Sequence, residues 1–164
     1  MASIEKNGLR GVFHKRLVGP IQALLLQGAN PRDLALSCAV GVAVGSMPIL
    51  GATTGAGLLL GAVLRLNQPT IQAVNYLMAP VQILLIPVFG YFAAQLGTPI
   101  HVDLNPAAMA EQFSKGVVAF LEVYGMLGLR AFGLWAVVSP IYSFFVFRLL
   151  HVVFQRFARQ KDLK

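Results

Sequence analysis

Residues 31–65, PRDLALSCAVGVAVGSMPILGATTGAGLLLGAVLR, decide the fold, because no charged residue occurs from Leu34 to Leu64. A bilayer-spanning segment requires an apolar run of this length, whereas soluble proteins rarely bury one. Pro48 interrupts the run near its middle, and proline removes a backbone donor and clashes with the preceding helical turn. We therefore expect two half-helices of roughly 14 residues, each about 21 Å long. Each falls short of the ~30 Å hydrocarbon core.

These lengths favour a helical hairpin, residues 31–65, that enters the membrane and returns to the side from which it came. Broken backbone at membrane depth is tolerated only where protein or a water-filled cavity satisfies it. In transporters, such breaks often build the substrate site. One long kinked span, or two short spans, remains the alternative for the same stretch.

Glycines are dense in this run and form three G-x-x-x-G pairs, at 41/45, 51/55 and 57/61. Glycine lets helix backbones approach closely in lipid, where van der Waals packing replaces the hydrophobic effect between helices. Gly51 follows Pro48 and belongs to the predicted break. The predicted helix-packing positions are Gly41, Gly45, Gly55, Gly57 and Gly61.

The composition is that of an integral membrane protein: 57% of residues are apolar and 12% are charged, against roughly 25% charged in a typical soluble domain. The formal net charge of +7 is concentrated at the ends. Residues 1–33 carry five basic and two acidic side chains, and residues 148–164 carry five and one. Basic ends predict cytoplasmic termini and attraction to anionic lipid, so no nucleic-acid partner is expected.

The chain therefore predicts one all-α, polytopic membrane domain of the bacterial inner membrane. Its segments are a cytoplasmic amphipathic segment 1–30, the broken hairpin 31–65, a polar-striped membrane segment 66–97, an external loop 98–116, a C-terminal membrane segment 117–150 and a basic tail 151–164. One crossing within 69–97 and one within 131–150 place both termini on the same side. The first 33 residues lack an apolar core followed by a cleavage site, so no signal peptide is expected.

Segment 66–97 starts at Asn67-Gln68-Pro69, a helix-start pattern, and Ala79-Pro80 divides it into a short arm and a longer one. Four amide side chains, at positions 68, 72, 75 and 82, share one helical face. Amides in lipid must face protein or water, so they predict either a lined cavity or helix–helix hydrogen bonds. Thr53 and Thr54 likewise contact a substrate or satisfy freed backbone groups. The candidate substrate-path residues are Pro48, Gly51, Thr53, Thr54, Asn67, Gln68, Gln72, Asn75 and Gln82.

Enzyme motifs are absent from the sequence: it contains no P-loop, no G-x-S-x-G elbow and no H-E-x-x-H. His14, His101 and His151 lie in three separate regions without metal-ligand spacing. The single cysteine, Cys38, excludes an intrachain disulfide. Glu122 and Arg130 form either an intramembrane pair or two surface charges. We expect no catalytic residue, metal or cofactor, and no enzymatic activity.

The pattern A-L-S-C-A-V-G-V-A-V-G-S-M-P-I-L-G-A-T-T, followed by L-R-L-N-Q-P and later by Y-F-A-A-Q-L-G, resembles the bacterial "domain of unknown function 2062" family. The most specific positions are Gly41, Gly45, Pro48, Gly51, Arg65, Asn67 and Pro69. The chain has Ala79 where relatives usually have Asn, and Ala52 where they often have His. The resemblance implies an inner-membrane protein of unassigned activity. Some relatives are fused to glycosyltransferases that use polyprenyl-phosphate, and the broken-helix design is similar to DedA-like proteins by architecture alone.

Two hypotheses for the function follow. The first is transport, or translocation of a lipid or envelope precursor, through a site at the helix break, with the protein acting as a homo-oligomer because one copy has few segments to enclose a cavity. The alternative is a membrane anchor or assembly subunit for an envelope biosynthetic enzyme of the glycosyltransferase type.

Overall fold

The computed structural model describes residues 30–49, 51–96, 103 and 105–161; most of the predicted amphipathic segment 1–30, His14 and His101 lie outside them. The described residues form helices and turns without a strand, which confirms the all-α prediction for this part of the chain. The helices are α1 (Pro31–Gly45), α2 (Thr53–Val63), α3 (Gln68–Leu77), α4 (Ala79–Gln95), α5 (Pro106–Ser114) and α6 (Val117–Lys161).

An asparagine cap with a proline in the first turn starts three of the described helices, α1, α3 and α5. The Asn30 side chain accepts from the backbone N–H of Arg32 at 3.0 Å, and α1 begins with Pro31. At α3, Asn67 Oδ1 accepts from the backbone N–H of Thr70 at 2.9 Å and from its hydroxyl at 2.7 Å. Each cap satisfies a donor that the first helical turn leaves without a partner.

The segments α1, α2 and α3 form a compact three-helix unit. The backbone N–H of Asn67, which follows α2, donates to Ser37 Oγ near the start of α1 at 3.0 Å. The chain therefore returns after α2 to the end where α1 began, so α1 and α2 run antiparallel and α3 runs beside them parallel to α1. At about 1.5 Å per residue, α1 is ~22 Å long and α2 is ~16 Å long.

Met78 joins α3 to α4, ending the first helix and capping the second. The two axes are bent by 64° at this joint, where Pro80 lacks the backbone donor that a continuous helix requires. The sequence predicts this division at Ala79-Pro80. The bend directs α4 away from the three-helix unit and along the first half of α6.

Helix α6 connects the two parts of the fold, because two separate hydrophobic cores lie along it. Its second half packs on α1 through a core of Leu34, Ala35, Cys38 and Phe154. Its first half packs on α4 and the end of α1 through a core of Met47, Phe89, Ala93, Tyr124, Leu127, Ala131 and Trp135. It continues as one helix to Lys161, so the predicted boundary at residue 150 does not end a helix.

Among the described residues, α6 is the one helix long and apolar enough to cross a membrane, and the bent pair α3–α4 is a second if it counts as one broken span. Only 11% of the apolar window of α6 is buried, unlike the core helix of a soluble protein. Leu84, Val118 and Val137 are each about 70% exposed. This exposed apolar surface supports membrane association.

The predicted external loop 98–116 contains helix α5, which a short turn separates from α6. Helix α5 ends at Ser114 and α6 begins at Val117. Gly116 lies between them with φ 119°, a conformation open to glycine and strained for other residues. Helix α5 can therefore fold back against the start of α6.

Candidate functional site

The break consists of residues 46–49 and 51–52, between α1 and α2, with Gly51 at φ 83°. Two of its carbonyl groups, those of Met47 and Ile49, accept from a side chain of another helix. Gln82 Nε2 of α4 donates to Met47 O at 2.9 Å and to Ile49 O at 3.4 Å. Gln82 is 6% exposed, so this amide acts as a buried clamp on the broken backbone.

A second group of side chains from α6 holds the end of α1. Trp135 Nε1 donates to Ala43 O at 3.1 Å and lies 3.3 Å from Ser46 Oγ. Ser46 Oγ also donates to Ala43 O at 2.7 Å and is hydrogen-bonded to the Tyr142 hydroxyl. The break is therefore anchored beside the middle of the uncharged run 131–147 of α6.

The first two amides of the predicted stripe form a ladder with α2. Gln68 Nε2 donates to Leu58 O at 2.8 Å, and Gln72 Nε2 donates to Thr54 O at 3.2 Å. Donors and acceptors are both four residues apart, so one turn of α3 matches one turn of α2. We call this arrangement the glutamine ladder. Among the described residues, Oε1 of each glutamine is buried without a hydrogen-bond partner.

Gly57 and Gly61 make room for the glutamine ladder. A Cβ at Gly61 would lie 2.5 Å from Gln68 Nε2, and one at Gly57 would lie 3.0 Å from Gln72 Nε2. This G-x-x-x-G pair therefore accommodates polar side chains of the neighbouring helix. The sequence predicts packing at these positions but not that the neighbours are amides.

The pair Gly41 and Gly45 lets α1 approach α3. A Cβ at Gly41 would lie 2.7 Å from Val74 Cβ, and one at Gly45 would lie 2.5 Å from Met78 Cβ. Gly55 differs: a Cβ there would meet no described atom within 4 Å. The expected helix packing at Gly55 thus has no neighbour in the described part of the chain, because Gly55 lies on the outer face of α2.

Three other predicted path residues lie at helix starts or between helices. Asn67 caps α3, and Asn75 is 3% exposed between the helices. Thr53 is 8% exposed at the start of α2. The stripe thus faces neighbouring helices, as the helix–helix alternative predicts, and Pro48 is the one candidate that lines a described cavity.

An apolar groove adjoins the break, with a volume of about 900 Å³, within the ~300–1,000 Å³ typical of ligand sites. It lies between the break, α4, α5 and α6, and its lining contains no charged side chain. The lining residues are Pro48, Ile49, Ile86, Met109, Ala110, Phe113, Phe120, Leu121, Tyr124, Gly125, Gly128, Leu129 and Phe132. Such a lining suits a hydrocarbon chain, and its one hydroxyl, that of Tyr124, donates to a backbone carbonyl.

Aromatic rings build the outer wall of the groove. Phe113 of α5 meets Phe120 of α6 edge-on at 5.6 Å between ring centroids, and Phe120 stacks on Tyr124 at 4.9 Å. The Tyr124 hydroxyl donates to Asp103 O at 2.7 Å. The ring contacts hold α5 against α6, and the hydrogen bond holds Asp103 against α6. The shape of the groove is therefore set by the fold.

Charged groups lie away from the groove lining. Within the described ranges, Glu111 and Lys115 form the one ion pair, at 2.9 Å, so the intramembrane pair suggested for Glu122 and Arg130 does not form. Arg130 Nη1 instead donates to Leu96 O at 2.6 Å. No group of three or more His, Cys, Asp or Glu that could hold a metal ion occurs among the described residues.

The sequence does not predict the contacts that Trp135 and Tyr142 make with Ser46. A signal was present, because an indole N–H in an apolar run must find an acceptor, and a helix break supplies free carbonyls. The sequence alone does not say which break in the chain the indole reaches.

Comparison with protein families assigns the chain: it belongs to the family of uncharacterized proteins conserved in bacteria (DUF2062), whose model matches residues 15–162. The predicted resemblance is thereby confirmed. No curated protein and no solved structure matches the chain.

Proposed function

Starting from this family membership, we propose that the chain is a multi-pass protein of the bacterial inner membrane that translocates a lipid or a lipid-linked envelope precursor. The apolar part of the substrate occupies the groove at the helix break. One observation carries the proposal: the ~900 Å³ groove is lined by apolar groups and opens beside Pro48 and Ile49, where the backbone of the hairpin is interrupted.

The lengths of the helices support a re-entrant hairpin. The break contacts Trp135 and Tyr142, near the middle of the uncharged run 131–147 of α6. Half of a ~30 Å hydrocarbon core is about 15 Å, and α2 is ~16 Å long. The hairpin therefore reaches the bilayer midplane and returns, while the groove occupies the opposite half.

The distribution of charge supports the orientation. Arg32 and Arg65 lie at the two ends of the hairpin, whereas Asp103 and Glu111 lie at the other end of the molecule, beside the first half of α6. Because cytoplasmic ends of membrane segments are enriched in Arg and Lys, both termini face the cytoplasm. The groove then opens in the outer half of the bilayer.

The chemistry of the groove suits loose, reversible binding of an acyl chain rather than tight storage. A lipid chain gains little from leaving other lipid chains, because both surroundings are apolar; its binding must come from close packing. The aromatic wall provides that packing, and the absence of charged lining groups leaves the headgroup outside. A chain held in this way can exchange with bulk lipid.

The test uses the single tryptophan. Trp135 contacts Phe132, at 5.3 Å between ring centroids, and Phe132 lines the groove. Lipids with brominated acyl chains should therefore quench Trp135 fluorescence in reconstituted protein. Gly128→Phe fills the groove, since a Cβ at Gly128 meets no atom within 4 Å, and should weaken the quenching.

Gly133→Phe is the matched control, because Gly133 lies on the same helix, also has free space around a Cβ, and does not line the groove. In proteoliposomes, wild type and Gly133→Phe should move a fluorescent lipid between leaflets, and Gly128→Phe should not. Equal transfer by all three proteins, or no transfer by wild type, would reject translocation through the groove.

A different observation favours the alternative, a membrane anchor or assembly subunit for an envelope biosynthetic enzyme. Helix α6 has 45 residues and is about 67 Å long, which exceeds the ~40–45 Å of a whole bilayer and leaves surface for a partner protein. If this role is correct, Gly128→Phe should leave the cellular phenotype intact, whereas charge reversal at Arg156 or Glu111 should abolish it.

A further inference from the structure

The packing of the helices gathers cations at one end of the molecule. The core of Leu34, Cys38 and Phe154 places the start of α1 beside the last turns of α6. The contact from Asn67 to Ser37 brings the end of α2 to the same level. We call the cations of this end the basic end: Arg32, Arg65, Arg148, Arg156 and Arg159.

Three of these arginines form a stripe on α6. Arg148, Arg156 and Arg159 fall within about 80° of one another at 100° per residue, and all three are exposed. Phe154 lies on the opposite face and is 4% exposed. The stripe therefore points away from the protein core, and no described carboxylate pairs with it.

Arg65 adds an independent observation, because its backbone is strained. It has φ 54° at the end of α2, where its N–H donates to Ala62 O at 3.2 Å and the next N–H, of Leu66, donates to Gly61 O at 2.8 Å. Glycine is the favoured residue at this position of a helix end. Arg65 places a cation at a position that suits glycine, which indicates a requirement for its side chain. This side chain is exposed.

We infer that the basic end binds the phosphate groups of anionic lipids in the membrane surface. Guanidinium groups donate two parallel hydrogen bonds to phosphate oxygens, and the exposed Leu149 and Val152 between the arginines suit the boundary between headgroups and acyl chains. Arg148 follows directly on the uncharged run 131–147, at the depth where headgroups begin.

This surface is separate from the groove. Tyr124, in the groove, and Arg156 are 32 positions apart on α6, which is about 48 Å along a helix. A lipid with its chain in the groove therefore cannot place its phosphate on the basic end. The inference holds whether or not the protein translocates lipid.

The experiment measures the thermal unfolding of delipidated full-length protein in a neutral detergent, with a dye that reacts with the single, buried Cys38. Phosphatidylglycerol should raise the melting temperature and phosphatidylcholine should not. Because a cation near an anionic surface contributes about a fivefold change in affinity, Arg156→Gln with Arg159→Gln should raise the apparent Kd for phosphatidylglycerol roughly 25-fold. Lys115→Gln, which removes one positive charge at the other end, should leave the Kd unchanged.

Arg65→Gly separates binding from folding. Relief of the positive φ should raise the melting temperature without lipid by a few degrees, while the apparent Kd for phosphatidylglycerol rises about fivefold. The inference would be overturned if both arginine variants left the Kd unchanged, or if Lys115→Gln raised the Kd as much as the arginine variants do. An equal stabilisation by inorganic phosphate alone would also overturn it, and would assign the basic end to a soluble anion.

Discussion

Two glycine-to-alanine substitutions, Gly45→Ala and Gly55→Ala, should have opposite effects on stability although both glycines belong to G-x-x-x-G pairs. A Cβ at Gly45 would lie 2.5 Å from Met78 Cβ and 3.2 Å from Asn75 O. Since carbon atoms pack at about 3.5–4.0 Å, α1 and α3 must separate by about 1 Å or more. A Cβ at Gly55 meets nothing within 4 Å.

The magnitudes follow from two terms. Overpacking costs ~1–3 kcal/mol. Replacing a mid-helix glycine by alanine returns ~0.5–1 kcal/mol, and this gain is smaller at Gly45 and Gly55, which lie in the last turn of α1 and the first turn of α2. Gly45→Ala should therefore lose roughly 0.5–3 kcal/mol, whereas Gly55→Ala should gain at most about 0.5 kcal/mol, since only the second term acts there.

The assay is thermal unfolding in detergent with the Cys38-reactive dye, because Cys38 lies in α1 and is 3% exposed. For a chain of this length, 1 kcal/mol corresponds to about 2–4 °C, so the two variants should melt several degrees apart. Equal melting temperatures, or a lower one for Gly55→Ala, would refute the assignment of the close contact to Gly45 and the open face to Gly55.

Three further predictions concern the polar contacts and the orientation. Gln82→Leu should destabilise by ~1–3 kcal/mol, because it leaves the buried carbonyl of Met47, and the partly exposed one of Ile49, without this donor; a loss below about 0.5 kcal/mol in urea unfolding would show that Gln82 does not hold the break. Gln72→Leu should cost only ~0.6 kcal/mol, up to ~1.7; because Gln72 does not line the groove and acts on it only through the position of α3, lipid transfer should fall no more than the loss of folded protein. Reporter fusions at residue 105 and after residue 161 should give opposite signals, and equal signals would reject the single crossing by α6 between them.

The sequence predicts the local features of the hairpin and of segment 66–97 well. The Asn67-Gln68-Pro69 start of α3, the break at Pro48 and the joint at Ala79-Pro80 all occur where the sequence places them. Each depends on the conformational limits of proline and on side-chain capping within a few residues. Such effects act locally, so a single sequence carries them in full.

The partners of these features are harder to predict, because they depend on distant parts of the chain. Ser46 is 89 positions from Trp135 and 96 from Tyr142, and no local pattern links them. Likewise, Gly55 and Gly57 are two residues apart in an equally apolar helix, yet only Gly57 faces α3. Which face of α2 is buried depends on the position of α3, which periodicity does not supply.

The glutamine ladder shows how polar side chains can fix the alignment of a neighbouring helix against the short helix α2. Helix α2 has 11 residues, and between helices in lipid the hydrophobic effect favours no particular alignment. Two amides spaced by one turn on α3 match two carbonyls spaced by one turn on α2. A slip of α3 by one turn would place one amide at the carbonyl and glycine of the other and leave the second amide with neither.

The ladder thereby fixes the position of α3 against α2, and this position sets the wall of the groove. Met78 ends α3 and caps α4, so the placement of α3 determines where α4 begins. Gln82 then lies one turn into α4 and reaches Met47 and Ile49 of the break. Ile49 lines the groove, and so does Ile86, which follows Gln82 by four residues. The polar contacts in one half of the molecule therefore hold the apolar site of the other half in shape, although neither glutamine of the ladder touches it.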